Sequence, residues 1–348
     1  MTSSAMPRTH GGPDAAGPAR WDFSTNVNAA GPCPQAVEAL ARADATRYPD
    51  PGYHALRERL AAWHGVDPKR ILTAASASEF IQRVTAVGAR LAPGSVAIPA
   101  LAYGDYAVAA HACGRGVVGI DDATATLRWY AEPSSPLGQE TAAPADAASR
   151  PTVLDLAYAP LRLSGEPCWS TDHRDAVFQL YSPNKALGLP GVRGAYAIAP
   201  VRAAWPVQAW CAALEAAQPS WPLGAHAVAL LECWSEPTAR AWLADVRGTL
   251  HGWTDALRSG LAELGLEPAP SVTPFLCARL PAAARPAALR ACGLAVRDTA
   301  SFGLPGWMRV SAQEPEALAA LLAALRALAN EPCSALSSPL STNRSIYP

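Results

Sequence analysis

The stretch that decides the fold is Ser182-Pro183-Asn184-Lys185-Ala186-Leu187-Gly188-Leu189-Pro190-Gly191-Val192-Arg193-Gly194. It follows the run Ala176–Tyr181, which we interpret as a β-strand. Lys185 is one of two lysines in a chain of 348 residues that has 26 arginines. The other, Lys69, lies in a polar turn where a solvated charge needs no further account. Lys185 stands just beyond a strand end and therefore needs one.

The residues after Lys185 suit an anion. Gly188, Gly191 and Gly194 let the backbone turn tightly and approach a ligand closely. Arg193 carries a planar guanidinium suited to a phosphate, and Ser182 adds a hydroxyl. An amine beside a phosphate site is what an aldehyde cofactor with a phosphate group requires. The alternative is a glycine-rich surface loop with two exposed cations, and the whole S-x-x-K-x-x-G-x-x-G-x-R-G pattern argues against it.

Short apolar runs alternate with helical stretches along much of the chain. The predicted strands are Ile71–Ala74, Val96–Pro99, Val117–Asp121, Thr152–Asp155, Ala176–Tyr181 and Ala195–Ala199. The predicted helices are Pro34–Ala43, Tyr53–Trp63, Ser78–Leu91, Tyr103–Cys113, Trp205–Leu214 and Ala225–Leu264. This alternation predicts an α/β protein with a mostly parallel sheet flanked by helices. Ligands of such sheets bind beyond the carboxyl ends of the strands.

We divide the chain into an N-terminal arm (1–30), a large domain (31–218), a small α+β domain (219–330) and a flexible tail (331–348). The polar stretch Gln139–Arg150 is predicted to be a loop. The elements predicted for the C-terminal part are strand-like Ser271–Leu280, helix Ala283–Cys292, strands Ala295–Arg297 and Met308–Ser311, and helix Pro315–Ala329.

Composition narrows the class of protein. The 28 basic and 29 acidic side chains leave a net charge of −1, which argues against a nucleic-acid scaffold or a polybasic membrane binder. No apolar run reaches the ~20 residues of a membrane helix, and we see no secretory signal. Eight scattered cysteines indicate neither a disulfide framework nor a metal site. We expect a cytoplasmic enzyme.

The lysine segment resembles that of fold-type I pyridoxal-phosphate enzymes, in the aminotransferase branch that includes histidinol-phosphate aminotransferase. These enzymes carry a D-x-A-Y motif on the preceding strand, and Asp155-Leu156-Ala157-Tyr158 matches it. The resemblance implies pyridoxal 5'-phosphate as cofactor, bound to Lys185. It also implies that Asp155 keeps the pyridine nitrogen protonated and that Tyr158 donates to the ring oxygen. Taken alone, Asp155 also fits a strand-end cap.

Further residues match the cofactor site of this family. Ser76, Ala77 and Ser78 follow a strand and open a helix, which makes them an anion site, and Ser76-Ala77-Ser78-Glu79 also fits a capping box. Tyr103 matches the aromatic residue that stacks on the cofactor ring, although alone it reads as a core aromatic.

Two other positions bear on the same site. Tyr48 matches a tyrosine that reaches the phosphate of the neighbouring subunit, which implies a homodimer. Ser135 stands where the family has an asparagine against the ring oxygen, so a shorter side chain with a single hydrogen would hold the ring more loosely.

A narrower resemblance is to the threonine-phosphate decarboxylases of cobalamin synthesis. It rests on Thr9-His10-Gly11-Gly12, the stretch from Trp21 to Asn28, Tyr48-Pro49-Asp50, Val296-Arg297-Asp298 and Met308-Arg309-Val310-Ser311. It implies that substrate is bound by His10, Gly11, Asn26, Arg297 and Arg309.

The expected reaction is the decarboxylation of L-threonine O-3-phosphate to (R)-1-aminopropan-2-yl phosphate, the precursor of the nucleotide-loop linker of cobalamin. The alternatives are an aminotransferase of the histidinol-phosphate type and a weakly active or non-catalytic homologue. The choice between decarboxylation and transamination rests on the resemblance, because the sequence does not fix how the substrate is posed. We expect a small phosphorylated amino acid as substrate, no metal, and no nucleic-acid or membrane partner.

Overall fold

The computed structural model describes residues 10–281 and 284–330. Three parts of the sequence predictions lie outside these ranges: the first nine residues of the arm, the start of the predicted helix Ala283–Cys292, and the predicted tail 331–348. The boundaries proposed between arm, large domain, small domain and tail stay predictions.

The bounds of the regular elements are as follows. The strands are β1 (Trp21–Asp22), β2 (Ile71–Ala74), β3 (Val96–Ile98), β4 (Val117–Gly119), β5 (Leu127–Ala131), β6 (Thr152–Asp155), β7 (Phe178–Tyr181), β8 (Ala195–Ile198), β9 (Phe275–Arg279), β10 (Leu294–Ala295), β11 (Arg297–Asp298) and β12 (Trp307–Ser311). The helices are α1 (Pro34–Arg42), α2 (His54–His64), α3 (Ala77–Leu91), α4 (Gly104–Ala112), α5 (Thr171–Asp175), α6 (Val207–Ala216), α7 (Ala225–Ser235), α8 (Pro237–Glu263), α9 (Pro286–Ala291) and α10 (Pro315–Asn330).

Seven strands form one mixed sheet in the order β2-β8-β7-β6-β5-β3-β4. Strand β8 runs antiparallel to both of its neighbours, and every other pairing in the sheet is parallel. The predicted α/β class with a mostly parallel sheet is confirmed. All six predicted strands of this part are present.

Helices cover both faces of this sheet. Along β8, Ala195 and Ala197 pack into the cluster that contains α3, α4 and α6, whereas Tyr196 and Ile198 pack into the cluster that contains α1, α2 and α7. Alternate side chains of a strand point to opposite faces, so both faces are buried. A strand buried on both faces reads as the continuous apolar run seen in the sequence.

Strand β5 was not predicted, although it lies in the middle of the sheet. Arg128 interrupts its apolar run, and the sequence gives no sign that this charge is buried. In the structure the Arg128 guanidinium lies 2.7 Å from Asp146 Oδ1, and its Nε donates to Thr152 Oγ1 over 3.2 Å. The partner Asp146 comes from the predicted loop Gln139–Arg150, eighteen residues further along the chain. The ion pair offsets the desolvation cost of burying the Arg128 charge.

The single helix predicted over Ala225–Leu264 is wrong in one respect, since it is two helices. Helix α7 ends at Ser235 and α8 begins at Pro237. Proline has no backbone N–H and its ring clashes with the preceding turn, so it ends one helix and suits the first position of the next.

A second, antiparallel sheet has the order β11-β12-β9. Its core residues pack with those of α8 and α10, among them Leu257, Leu261, Met308 and Leu321. Strand β1 pairs in parallel with β10, so the N-terminal segment joins this C-terminal part of the molecule. Within the described ranges, no helix has the length and apolar character needed to cross a bilayer.

Candidate active site

A cavity of ≈510 Å³ lies at the carboxyl ends of the parallel strands, where the seven-stranded sheet faces the N-terminal segment and the three-stranded sheet. Tyr48 is the one predicted site residue that does not line it. The predicted residues in its lining are His10, Gly11, Asn26, Ser76, Ala77, Ser78, Tyr103, Ser135, Asp155, Tyr158, Ser182, Lys185, Arg193, Arg297 and Arg309. The fold therefore gathers residues from both ends of the chain into one chamber.

Asp155 and Lys185 come from the ends of two neighbouring strands, β6 and β7. Asp155 is 8% exposed, and its Oδ1 accepts the backbone N–H of Ala157 over 3.0 Å. Burial raises the pKa of this carboxyl group, while its hydrogen bonds and the charge of Lys185 oppose the rise. The Lys185 ammonium lies 5.5 Å from the centroid of the Tyr158 ring. An amine, a buried carboxyl and a phenol thus meet at the sheet edge.

The backbone at Lys185 is anchored by the segment that precedes α1. The Asn28 N–H donates to the Lys185 carbonyl, and its Nδ2 donates to the Ala186 carbonyl, both over 3.0 Å. Asn26, two residues earlier, donates from Nδ2 to the Tyr158 hydroxyl over 3.3 Å, while its buried Oδ1 has no partner among the described residues. Asn26 therefore lines the cavity, and its Oδ1 is free of described partners and able to accept a hydrogen bond from a ligand.

The glycines after Lys185 differ in their surroundings. Gly188 adopts φ +71°, as a tight turn requires, and a Cβ there would lie 2.6 Å from the carbonyl oxygen of Gly31. A Cβ at Gly194 would touch Ala227, and one at Gly191 would enter open space. Gly188 is thus required for a turn and for close approach of another part of the chain, whereas Gly194 lines the cavity and its predicted approach to a ligand stays a prediction.

The turn into α3 has the donors that an anion needs. Ser76 is the N-cap and its Oγ accepts the Glu79 N–H over 3.1 Å, so the predicted capping box is confirmed on this side. Glu79 accepts from the Ala75 N–H and pairs with Arg83 at 2.8 Å. Ser76, Ala77 and Ser78 all line the cavity, and the first backbone N–H groups of a helix have no acceptor within the helix.

Two more predicted site residues, Ser182 and Arg193, line the same cavity. The Oγ of Ser182 is buried and has no partner among the described residues. Arg193 is exposed, and its Nη1 donates a long 3.4 Å hydrogen bond to the Pro190 carbonyl. A buried hydroxyl without a partner is costly unless a ligand satisfies it. Together with the start of α3, these groups fit a phosphate.

Tyr103 stands at the start of α4, between Ser78 in the first turn of α3 and His10 in the N-terminal segment. Its hydroxyl donates to Asp105 Oδ2 over 2.8 Å and lies 3.4 Å from Ser78 Oγ. Burial raises the pKa of Tyr103, so it remains a neutral donor. His10 reaches this corner, with its Nε2 3.9 Å from Asp105 Oδ1 and its ring centroid 6.1 Å from that of Tyr103.

Arg297 and Arg309 face each other across β11 and β12, where they are directly opposed partners. Both are almost fully buried, at 4% and 6% exposure. Burial and the charge of Arg309 lower the pKa of Arg297. Arg297 donates to Ser301 Oγ over 2.7 Å, whereas Arg309 donates to the Ser24 carbonyl over 3.1 Å and its Nε is buried without a partner among the described residues. Two like charges that are directly opposed in a ladder repel each other, and the Asp298 carboxylate next to Arg297 offsets part of this repulsion.

Sequence reasoning missed several residues of the lining, chiefly Tyr106, Asp105, Ser24 and Ser301. Tyr106 had a usable signal, because it follows Tyr103 by three residues on a helix and therefore shares its face. Tyr48 is 78% exposed and stacks on Trp221 with 4.5 Å between ring centroids. Its predicted contact with a neighbouring subunit stays a prediction. Ser135, which replaces the asparagine of the family, is buried in the cavity wall.

Comparison with known proteins defines the class. Residues 20–131 and 139–325 match the family Aminotransferase class I and II, and the chain belongs to this family. It is 30% identical to histidinol-phosphate aminotransferase from Granulibacter bethesdensis, over 88% of each chain. Seven further relatives, 28–30% identical, are also histidinol-phosphate aminotransferases.

Two solved structures show the fold. The L-threonine-O-3-phosphate decarboxylase from Porphyromonas gingivalis superposes with a TM-score of 0.71 at 21% identity, covering 88% of this chain and 98% of that one. Histidinol-phosphate aminotransferase from Sinorhizobium meliloti, in complex with pyridoxal-5'-phosphate, superposes with a TM-score of 0.69 at 21% identity, covering 87% and 90%. The protein is thus a fold-type I enzyme whose cofactor is pyridoxal phosphate, and the unpartnered Ser182 hydroxyl, the amine of Lys185 and the buried Asp155 fit that group.

Proposed function

We propose that the protein decarboxylates L-threonine O-3-phosphate to (R)-1-aminopropan-2-yl phosphate, which supplies the nucleotide-loop linker of cobalamin. The observation that carries the proposal is the buried, directly opposed pair Arg297 and Arg309 in the same cavity as His10. A substrate with both a carboxylate and a phosphate would offer two anions to this set of cations. Its phosphate would accept from Arg297 and His10, and its carboxylate from Arg309.

The chain's own residues would perform the following tasks. Bound pyridoxal phosphate supplies an electron sink for the pair released from Cα. Asp155 would hold the proton on the ring nitrogen, and Tyr158 would donate to the ring oxygen. The arginines would fix the carboxylate and the phosphate of the substrate, and this anchoring would select the Cα–carboxylate bond rather than Cα–H for cleavage. Lys185 would return a proton to Cα after carbon dioxide leaves.

A second candidate is a histidinol-phosphate aminotransferase, and a specific observation favours it. The relatives that are 28–30% identical to the chain are histidinol-phosphate aminotransferases, whereas the threonine-phosphate decarboxylase is similar to the chain in fold. The amine substrate of a histidinol-phosphate aminotransferase carries a phosphate but no carboxylate. Arg309 would then bind the carboxylate of the 2-oxo acid that accepts the amino group. The two reactions differ in that only transamination needs this acid.

Turnover of O-phosphothreonine without any 2-oxo acid, with release of carbon dioxide, is the first test. A strict requirement for a 2-oxo acid and activity on histidinol phosphate would support the second candidate instead. The second test compares kcat/KM for O-phosphothreonine and for threonine in wild type and in Arg297→Ala.

Loss of one charge-assisted hydrogen bond to phosphate should cost about ten- to a hundred-fold with O-phosphothreonine and little with threonine. The matched control is Arg279→Ala, because Arg279 is exposed on β9 of the same sheet and does not line the cavity. Equal losses on both amino acids would mean that Arg297 does not bind the phosphate.

We also propose that the enzyme is a cytoplasmic homodimer in which Tyr48 contacts the cofactor phosphate of the neighbouring subunit. The exposure of Tyr48 and its stacking on Trp221 support this role, since both leave the phenol accessible to a second copy. Mixing Tyr48→Phe with an inactive Lys185→Ala protein tests it. Hybrid dimers should contain one site with both intact residues and regain activity.

A further inference from the structure

Tyr106 makes a hydrogen bond whose position gives it a bearing on the cofactor. Its hydroxyl donates to Asp155 Oδ2 over 2.7 Å. Both residues are buried, and both line the active-site cavity. The other carboxylate oxygen, Oδ1, accepts the Ala157 N–H. Each oxygen of Asp155 therefore has one fixed donor and keeps lone pairs for a ligand.

The phenol ring of Tyr106 is held firmly in place. It stacks on Trp129 with 4.5 Å between ring centroids and 11° between planes. Tyr103 contacts it edge-on at 5.7 Å. Because α4 begins at Gly104, Tyr106 lies in the first turn of the helix, and its N–H donates to the Tyr103 carbonyl. The hydroxyl cannot leave Asp155 without repacking these rings.

The surroundings of Asp155 make this donor consequential. Burial favours the neutral form of a carboxyl group, and a neutral Asp155 could not balance a protonated pyridine ring. The charged form gains from Tyr106, from Ala157 and from the Lys185 ammonium. Among these contributions, the hydrogen bond from the Tyr106 hydroxyl is the largest.

We propose that Tyr106 is a positioning residue that keeps Asp155 ionised and aimed at the ring nitrogen of pyridoxal phosphate. The proposal rests on the role proposed above for Asp155 and is independent of which substrate the enzyme takes. Tyr106 would not touch the substrate's reacting bond. It would act through Asp155, by lowering the tendency of the proton to move from the ring nitrogen to the carboxylate.

The test compares two aldehydes in Tyr106→Phe. One is pyridoxal phosphate and the other is its analogue with carbon in place of the ring nitrogen. Both can bond to Lys185 and both carry the phosphate, so the ratio of their dissociation constants isolates the contact with Asp155. In Tyr106→Phe we expect the preference for pyridoxal phosphate to fall about ten- to a hundred-fold, as for loss of a hydrogen bond to a charged group.

The matched control is Tyr196→Phe. Tyr196 is equally buried, and its hydroxyl lies 2.8 Å from His64 Nε2 and accepts from Trp234 Nε1, away from the cavity. Loss of that hydroxyl should leave the ratio unchanged. A second variant carries 3-fluorotyrosine at position 106, which keeps the ring and the donor, and it should retain the wild-type preference.

Two readouts separate the possible failures. If Asp155→Asn leaves the preference unchanged, Asp155 does not face the ring nitrogen, and both its proposed role and this inference fall. If Asp155→Asn lowers the preference but Tyr106→Phe does not, only the role of Tyr106 is overturned. Equal weakening of both aldehydes in Tyr106→Phe would make the residue merely structural. The 15N shift of the ring nitrogen should move toward the unprotonated value in Tyr106→Phe.

Discussion

The two ends of the active-site cavity are built in different ways. At the cofactor end, Asp155 and Lys185 follow adjacent strands of one sheet, and Ser76 to Ser78 follow a third. At the substrate end, His10 comes from the N-terminal segment, whereas Arg297 and Arg309 come from a separate sheet near the other end of the chain. The cofactor end is assembled by the strand order of a single sheet, whereas the substrate end forms only when segments distant in the sequence come together.

Burial does not distinguish the two ends. Asp155, Arg297 and Arg309 are all buried, whereas the His10 side chain is half exposed. A rigid scaffold that holds the cofactor and variable segments that hold the substrate allow one fold to serve different substrates. This explains why relatives with two different reactions share the architecture. It also predicts that changes at the two ends have separable effects on cofactor binding and on substrate binding.

The largest effect is expected at the cofactor end, from Lys185→Ala. Because we propose that this amine both holds the cofactor and moves a proton at Cα, we expect turnover to fall by about 10²–10⁴-fold. Borohydride reduction followed by peptide mapping should find the pyridoxyl group on Lys185 in wild type. Lys69→Ala is the matched control, since Lys69 is exposed next to β2 and is the other lysine of the chain. A pyridoxyl group on Lys69 would contradict the whole assignment.

An intermediate effect is expected at the substrate end, from Gly11→Ala. A Cβ at this position would lie 2.2 Å from the carbonyl oxygen of Ser24, so the segment that carries His10 must shift. We expect KM for the phosphorylated substrate to rise about tenfold, with the affinity for pyridoxal phosphate nearly unchanged. Gly252→Ala is the control, because Gly252 lies within α8 with open space around it.

Steady-state kinetics and a cofactor titration check this prediction together. If Gly11→Ala weakens cofactor binding as much as substrate binding, the two ends of the cavity are not independent.

The third effect is on stability rather than on catalysis, and it arises at His64, whose ring contacts Tyr181 at the end of β7. His64 lies 2.8 Å from the Tyr196 hydroxyl, and burial lowers the pKa of its ring to about 3. The folded protein therefore keeps His64 neutral, while the unfolded chain binds a proton near pH 6.5. Stability is fully present above pH 6.5 and falls as the pH drops from there toward 3, by up to ~1.4 kcal/mol per pH unit.

Urea unfolding at pH 7.5 and pH 5 measures this effect. Between these two values, His64→Phe should lose about 2 kcal/mol less than wild type. His226→Phe is the control, because His226 is exposed on α7 and loses little solvation on folding. Identical pH dependence in wild type and His64→Phe would show that the ring is not held neutral.

The cofactor end was largely predictable from sequence, because its signals are local. Lys185 and Asp155 each follow an apolar run, and Ser76-Ala77-Ser78-Glu79 is a cap that any helix start can show. The role of the glycines was less predictable. The φ of +71° at Gly188 and its contact with Gly31 depend on a segment more than a hundred residues away.

What could not be predicted depends on partners supplied by folding. Strand β5 is central, but the charge of Arg128 interrupts its apolar pattern in the sequence. Folding brings Asp146 alongside, and the ion pair allows Arg128 to be buried. The opposition of Arg297 and Arg309 follows from the register of β11 with β12, which neither residue reveals. Tyr106 carried a helical spacing from Tyr103, but its bond to Asp155 joins two elements that only the sheet brings together.

The short backbone strip from Phe23 to Asn28 links the two ends mechanically. The Phe23 N–H donates to the Ala295 carbonyl and its own carbonyl accepts from Ser311, which fixes it to the C-terminal part. Five residues later, Asn28 donates to the Lys185 carbonyl. The strip is therefore a tether between the place where the substrate's anions would bind and the residue that would bind the cofactor. Any displacement of the three-stranded sheet would be transmitted as tension along it to Lys185.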